Sequence, residues 1–258
     1  MERWSGRTAL VTGASVGIGH AVAEALAKSG MNVVACARNV GKIEELAKSV
    51  GNAPGKIYPI KCDLTQETEI LQMFKTIEEK FKHIDVLINN AGLAHPEDLL
   101  TGNTEKWKGM IDLNVLGLSI CAREALRLMD KDNIDDGHII NINSMAGHNI
   151  FASMPIIHFY MGTKHMVTAL TKALNAELRQ KKSKIRVTSL SPGAVQTEFG
   201  HNLYAGSSQA TAAAAAFAQT FPLLTGKDIA DAVLYVVGAP AHVSIHELII
   251  APTEQPVL

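Results

Sequence analysis

The chain is poor in the features that mark the more specialised classes of protein. Only three of its 258 residues are cysteine, Cys36, Cys62 and Cys121. They form no CxxC pair, so neither a disulfide scaffold nor a cysteine-based metal site is built into it. Two of the three fall in apolar runs that read as strands, which fits reduced thiols in a cytoplasmic protein. An excess of one charge is missing too: 24 basic and 25 acidic residues leave a net charge of −1. Nucleic-acid binding depends on a basic surplus, so no nucleic-acid partner is expected. No run approaches the roughly 18 apolar residues of a membrane span, and the alanine-rich stretch 212–218 is too short and too weakly hydrophobic to be one. The first residues, Met1 to Arg7, lead into a strand without the apolar region of a signal peptide. Ten histidines are present, but none stands in HExxH or another close ligand pair, so no metal is expected. His158 and His165, seven positions apart on one helical stretch, read as packing or supporting residues.

What the chain does have is alternation. Short apolar runs at Thr8–Thr12, Met31–Cys36, Lys56–Lys61, Ile84–Asn89, His138–Ile142, Ile185–Ser191 and Leu248–Ile250 read as strands, several of them apolar on both faces. Helical patterns lie between them. In Ile18–Ser29, Val22, Leu26 and Ser29 recur at helical spacing; in Phe159–Lys181, Val167, Leu170, Leu174 and Leu178 do so; a further helix is expected at Asp228–Val237. Doubly buried strands alternating with helices imply a parallel sheet covered on both sides. The expectation is one doubly wound α/β domain of the Rossmann type over residues 1–258, with about seven parallel strands. Segment 194–225 breaks the rhythm, with Phe199, Tyr204, Phe217 and Phe221 set among glycines and alanines. It follows the last long strand, at the sheet end where ligands bind in such folds, and reads as a lid over substrate.

Between the first strand and the first helix stands Thr12-Gly13-Ala14-Ser15-Val16-Gly17-Ile18-Gly19. Glycines there let backbone approach a pyrophosphate, and the helix N-terminus offers free N–H groups and a positive dipole. The spacing is Gly-x3-Gly-x-Gly rather than GxGxxG. The end of the second strand, where an acidic residue would hold a ribose 2′-hydroxyl, carries no carboxylate; Arg38 and Asn39 follow Ala37 instead. An arginine suits a 2′-phosphate, so the cofactor expected is NADP(H).

Taken in order, these motifs resemble the short-chain dehydrogenase/reductase family from end to end. Thr12 to Gly19, with Gly13, Ser15, Val16, Gly17, Ile18 and Gly19, is similar to its TGxxxGxG loop. Asp63, followed by Leu64, is similar to its adenine-contacting aspartate, and Asn89-Asn90-Ala91-Gly92 to its NNAG motif. Asn114 matches its helix asparagine, Ser144 its serine, and Tyr160 with Lys164 its YxxxK. Pro192-Gly193, Val195 and Thr197 resemble its nicotinamide-contacting segment. More narrowly, Ile139 to Met145 and Pro252-Thr253-Glu254-Gln255 resemble a subgroup that includes NADP-dependent farnesol dehydrogenases. The resemblance implies alcohol–carbonyl redox chemistry on a lipophilic small molecule, such as a sesquiterpenoid alcohol, a steroid or a small dicarbonyl. It also implies a homodimer or homotetramer.

The residue types make sense chemically beside that resemblance. Tyr160 and Lys164 lie four apart and share a helix face. A phenol titrates near pH 10, too high for a base at neutral pH, and a nearby ammonium favours the phenolate. Tyr160 can then exchange a proton with the substrate oxygen, while Ser144 hydrogen-bonds the same oxygen. Lys164 would also hold the nicotinamide ribose, and Asn114 would steady Lys164 through a water. Two features depart from the family. Tyr160 follows Ser144 by sixteen positions, a few more than usual, and the surplus falls in 148–157, an apolar stretch that reads as a pocket wall. Phe151, Met154 and Ile157, with Tyr204 of the lid, are the candidate substrate contacts. Val16 stands where many NADP-binding relatives carry a basic residue, which leaves the 2′-phosphate to Arg38. The rival reading is a cofactor-binding sensor or scaffold without turnover, which has no need of a proton relay. A nucleotide-sugar epimerase is disfavoured because little chain remains for a sugar domain.

Overall fold

The computed structural model describes residues 1–200 and 220–255. Seven strands form one sheet: β1 (Thr8–Thr12), β2 (Asn32–Ala37), β3 (Lys56–Lys61), β4 (Val86–Asn89), β5 (His138–Ile142), β6 (Arg186–Pro192) and β7 (Glu247–Ile250). Their order is β3-β2-β1-β4-β5-β6-β7 and every ladder is parallel. The intervening helices are α1 (Gly17–Lys28), α2 (Gly41–Ser49), α3 (Glu67–Phe81), α4 (Thr104–Ile111), α5 (Leu118–Lys131), α6 (His158–Gln180) and α7 (Gly226–Gly238). No described helix is long and apolar enough to cross a membrane.

The period of two along each strand explains why both faces are covered. Ala9, Val11, Val33, Ala35, Val86, Ile88, Ile140 and Ile142 pack with Val22 and Leu26 of α1, Ile43 of α2 and Ile229 and Val233 of α7. Their neighbours Leu10, Val34, Leu87 and Ile139 point the other way, into a layer with Ile70 and Phe74 of α3, Leu128 of α5 and Leu178 of α6. Every residue of β1 and of β4 is buried, as expected of strands with helices on both sides. The three cysteines are buried free thiols in the second layer, and burial pushes that of Cys62 up to about 12.

The helical spacing in α6 picks out the wrong stripe in part. Val167 and Leu178 are buried, but Leu170 is exposed and Leu174 only half-buried. Their places toward the sheet are taken by Thr171 and Asn175. Thr171 Oγ1 accepts from Asn141 Nδ2 at 2.9 Å, and Asn175 Nδ2 donates to the Val187 carbonyl at 3.0 Å. β5 and β6 present polar side chains to this helix, and buried polar groups require partners.

The chain reverses its direction of travel across the sheet between β1 and β4. Their carboxyl ends open a crevice there, into which the loops after β1, β4, β5 and β6 project.

Candidate active site

The loop after β1 is locked to the loop after β4 by two side chains that bond main chain. Thr12 Oγ1 accepts from the Asn90 and Ala91 amides, both at 3.0 Å, and Asn90 Nδ2 donates to the carbonyls of Thr12 at 2.9 Å and Gly13 at 3.2 Å. Gly13 has φ +66°, and a Cβ on it would stand 2.9 Å from Ala91 Cα. On Gly19 a Cβ would meet Asn90 Nδ2 at 2.4 Å and the Gly13 carbonyl at 2.5 Å. Only glycine fits either place. α1 starts after Val16, which makes no side-chain capping bond; the first amides of the helix are thus left for an outside acceptor such as a phosphate. Ile18 begins the same turn. A Cβ on Gly17 would approach Thr197 Cγ2 at 3.2 Å, so the segment after β6 reaches over this loop.

Around that core the other sequence-predicted cofactor residues fall at the crevice with different degrees of exposure. Arg38 and Asn39 are exposed just beyond β2, and Arg38 has no hydrogen bond or ion pair among the described residues. Asp63 is half-buried and its carboxylate accepts from Thr65 N at 3.0 Å and Thr65 Oγ1 at 2.8 Å. Leu64 is buried in the core layer below, so only its backbone faces outward contacts. A Cβ on Gly92 would lie 3.4 Å from Asn114 Oδ1 and 3.9 Å from Lys164 Nζ, which brings the end of the NNAG motif beside the reactive helix. Pro192 is buried, the Gly193 amide donates to the Ile250 carbonyl at 2.7 Å, and Val195 bridges to Leu224.

Ser144, Tyr160, Lys164 and Asn114 converge. Ser144 caps a 3₁₀ turn, Met145–Gly147, by accepting from the Ala146 amide at 3.1 Å. Tyr160 is buried; loss of water raises its pKa and a hydrogen bond with Ser144 opposes that rise. Lys164 Nζ donates to the Ile142 carbonyl at 2.9 Å and lies 5.9 Å from the Tyr160 ring centre. Burial brings its pKa down to about 8. Asn114 sits in a π-helical turn, Asp112–Gly117, between α4 and α5, a distortion that frequently marks functional positions. Its side chain is fully committed: Oδ1 accepts from the Leu93 amide at 2.8 Å, and Nδ2 donates to the Leu93 carbonyl at 2.8 Å and to Thr163 Oγ1 at 3.1 Å. It ties the loop after β4 to α6 and makes no hydrogen bond to Lys164.

The expected pocket wall is brought to this site as an apolar cluster. Ile157, Tyr160 and Met161 are buried with Ala94 and Met110, and Phe151, Met154, Leu93 and Phe199 pack against them. Ile157 is only 5% exposed, so it supports the wall from behind. The insert is pinned to its own helix by His158, whose Nε2 is 3.1 Å from the Phe151 carbonyl; His165 bonds the Met161 carbonyl. Tyr204 and the middle of the expected lid, 201–219, lie outside the described residues. Two residues not singled out as site residues also reach the crevice. The Phe199 ring stands 5.6 Å from that of Tyr160, and Gln255 Oε1 accepts from the Ala194 amide at 2.8 Å while its Nε2 faces Met145 S at 3.8 Å. Both are joined to the site by tertiary contacts across many positions. Their only sequence signals are an aromatic in the lid segment and the Pro-Thr-Glu-Gln ending.

A family model described as short chain dehydrogenase matches residues 7–208. The dehydrogenase/reductase SDR family member 11 of Gallus gallus is 54% identical over 257 residues, with 99% of each chain covered. The farnesol dehydrogenase of Aedes aegypti is 43% identical over 254 residues, with 98% of each covered. Among solved structures, the closed form of a serine dehydrogenase complexed with NADP+ superposes with a TM-score of 0.86 at 32% identity, covering 97% of this chain and 96% of that one. An alcohol dehydrogenase from the archaeon Thermococcus sibiricus, complexed with 5-hydroxy-NADP, gives 0.83 at 26% identity over 98% and 99%.

Proposed function

The chain belongs to the short-chain dehydrogenase/reductase family of oxidoreductases, and from that premise we propose that it interconverts an alcohol and its carbonyl on a lipophilic small molecule with NADP(H). The observation that carries the reading is the convergence of Ser144, Tyr160 and Lys164 beside a glycine loop that leads into an uncapped helix N-terminus. The loop fits a dinucleotide: Gly13, Ser15 and the amides of Gly17 to Gly19 would take the pyrophosphate, Asp63 and Leu64 the adenine side, and Asn90 to Gly92 with Pro192, Gly193, Val195 and Thr197 the nicotinamide side. The exposed Arg38 beyond β2, without a partner among the described residues and with Asn39 beside it, supports a 2′-phosphate there. When bound, the nicotinamide supplies or accepts the hydride.

The chain's own residues then handle the oxygen and its proton. Tyr160 gives a proton to the carbonyl oxygen in reduction and takes one from the hydroxyl in oxidation. Ser144 donates a hydrogen bond to the same oxygen and stabilises the charge that gathers on it. The Lys164 ammonium favours the phenolate by its charge and holds the ribose. Asn114, with its side chain spent on Leu93 and Thr163, fixes the backbone around Lys164 rather than bonding it; a water-borne relay past it remains part of the proposal. A sensor without turnover has no use for so costly a group as a buried lysine, and this favours the enzyme.

Phe151, Met154 and Phe199, backed by Ile157, line the approach to Tyr160 with apolar surface, which supports a lipophilic substrate, either a terpenoid alcohol such as farnesol, a 3- or 17-oxygenated steroid, or a small dicarbonyl. The Aedes aegypti relative is named for the first of these. Segment 194–225, with Tyr204, serves as the lid. Exposed Leu116, Met166 and Leu170, and on the other side Tyr235 and Ile249, support assembly into a homodimer or homotetramer. Initial rates with farnesol, two oxosteroids and a dicarbonyl, each with NADP(H) and NAD(H), test the reading. It expects turnover with NADP(H) at least about tenfold above that with NAD(H); equal rates with both overturn the cofactor, and binding of NADPH without turnover on any substrate favours the sensor.

A further inference from the structure

Ser144 must be held to a fraction of an ångström if its hydroxyl is to share one oxygen with Tyr160. Its own capping bond to Ala146 orders the turn internally but does not attach the turn to the sheet. That attachment comes from the Asn143 amide, which donates to the Leu190 carbonyl at 2.7 Å, and from a side-chain network on the far side of the turn. Asn143, just before Ser144, sends Nδ2 to Ser189 Oγ at 3.2 Å and to Thr168 Oγ1 at 2.8 Å. Thr168 Oγ1 donates in turn to the carbonyl of Gly147, the last residue of the turn, at 2.9 Å. His148 follows Gly147, and its Nε2 lies 2.9 Å from Ser191 Oγ and 2.9 Å from Glu247 Oε1. A carboxylate so close excludes a bare ring nitrogen, so Nε2 carries a proton; it bonds Ser191, with the Glu247 carboxylate beside it but not aligned as its acceptor. The Ser191 hydroxyl is then free to donate to Ser189 Oγ, 3.2 Å away, which closes the circuit back to Asn143.

We infer that His148, bonded to Ser191 of β6 beside Glu247 of β7, is a positioning residue for Ser144, an inference that rests on the proposed reaction. Three features distinguish this from ordinary packing. The circuit grips the turn on both sides, at Asn143 and at Gly147–His148, with Ser144 between the anchors. Ser191 is fully buried and Ser189 nearly so, and both hydroxyl oxygens take bonds from the circuit. Glu247 comes from the edge strand, so the one carboxylate beside the circuit reaches the start of the long insert from a strand 99 positions away. The remaining charged and titratable groups on that side, Lys172, Arg179 and His246, line a cavity of about 440 Å³ with Glu247 and do not bond His148.

The test compares His148→Ala, His148→Gln and Glu247→Gln with the wild type in three readouts: kcat and KM for the best carbonyl substrate, NADPH affinity, and hydrogen exchange of the peptide spanning 143–150. His148→Ala is expected to lose kcat by about ten- to a hundredfold with cofactor affinity unchanged, while the Ala146 and Gly147 amides exchange faster. His148→Gln, which can still donate from a similar reach, recovers most of the rate, and Glu247→Gln falls between. An unchanged kcat in His148→Ala, or unchanged exchange across the turn, overturns the inference. A wild type that turns over no carbonyl overturns the reaction instead, and the exchange data alone then decide whether the turn depends on His148.

Discussion

The two ends of the crevice are built by different means. At the cofactor end the loops after β1 and β4 are interlocked by the short side chains of Thr12 and Asn90 bonding each other's main chain, with glycine where a Cβ would collide. At the substrate end the turn after β5, the insert 148–157 and the segment after β6 are joined by side chains from distant parts of the chain: His148 to Glu247, Gln255 to Ala194, Phe199 to Tyr160. An interlock this close to main chain leaves no room for a Cβ at Gly13 or Gly19 and serves a ligand that does not vary. Side-chain contacts can be exchanged singly, which suits the end where relatives differ in what they bind.

That contrast can be broken most directly at Gly19. A methyl group there would press on the Asn90 amide and the Gly13 carbonyl, both bound in the interlock. Gly19→Ala is expected to weaken NADPH binding by about a hundredfold or more and to lower stability by about 1–3 kcal/mol, as read by cofactor fluorescence and thermal unfolding. Binding within a few fold of wild type would mean that the loop is not held as tightly as its contacts imply.

Lys164 lies between the two ends and provides a test of opposite sign. Burial brings its pKa down from 10.5 to about 8, so below pH 8 the folded protein holds a charge it would rather lose. The depressed value belongs to the folded state, so the cost is fully present below pH 8 and is relieved as pH rises toward 10.5. Lys164→Met should therefore be inactive yet more stable at pH 7, by up to about 3 kcal/mol less whatever the orphaned Ile142 carbonyl costs. The gain should shrink between pH 8 and 10.5, as followed by denaturant unfolding at several pH values. A variant less stable at every pH contradicts this account of the lysine.

The smallest effect belongs to the wall. Phe199→Ala removes a ring beside Tyr160 and should raise KM for a lipophilic carbonyl by about tenfold, from about 1–2 kcal/mol of lost apolar contact, with kcat changed far less. A change confined to kcat would move Phe199 from the substrate to the catalytic tyrosine.

The same contrast explains what could be read in the sequence. The strands and the glycine loop are local in origin, because period-two burial and turn chemistry depend on neighbours in the chain; β1, β3 and β5 fall where the apolar runs predict. The spacing of Tyr160 and Lys164 on one helix is local too. The polar face of α6 is not: Thr171 and Asn175 are buried only because Asn141 and the Val187 carbonyl on the facing strands need partners, and no pattern within the helix announces it. Gln255 and the His148–Glu247 pair escape a sequence reading for the same reason, since each depends on a partner more than fifty positions away.

The central claim is that Tyr160, tuned by Ser144 and Lys164, moves the proton. It is tested most directly by kcat/KM of Tyr160→Phe against wild type with NADPH and one accepted carbonyl, alongside unfolding and NADPH binding for both proteins. The account predicts a loss of about a thousandfold or more with the fold and cofactor affinity intact. A variant that keeps a tenth of the wild-type rate would contradict it and pass the proton to another group.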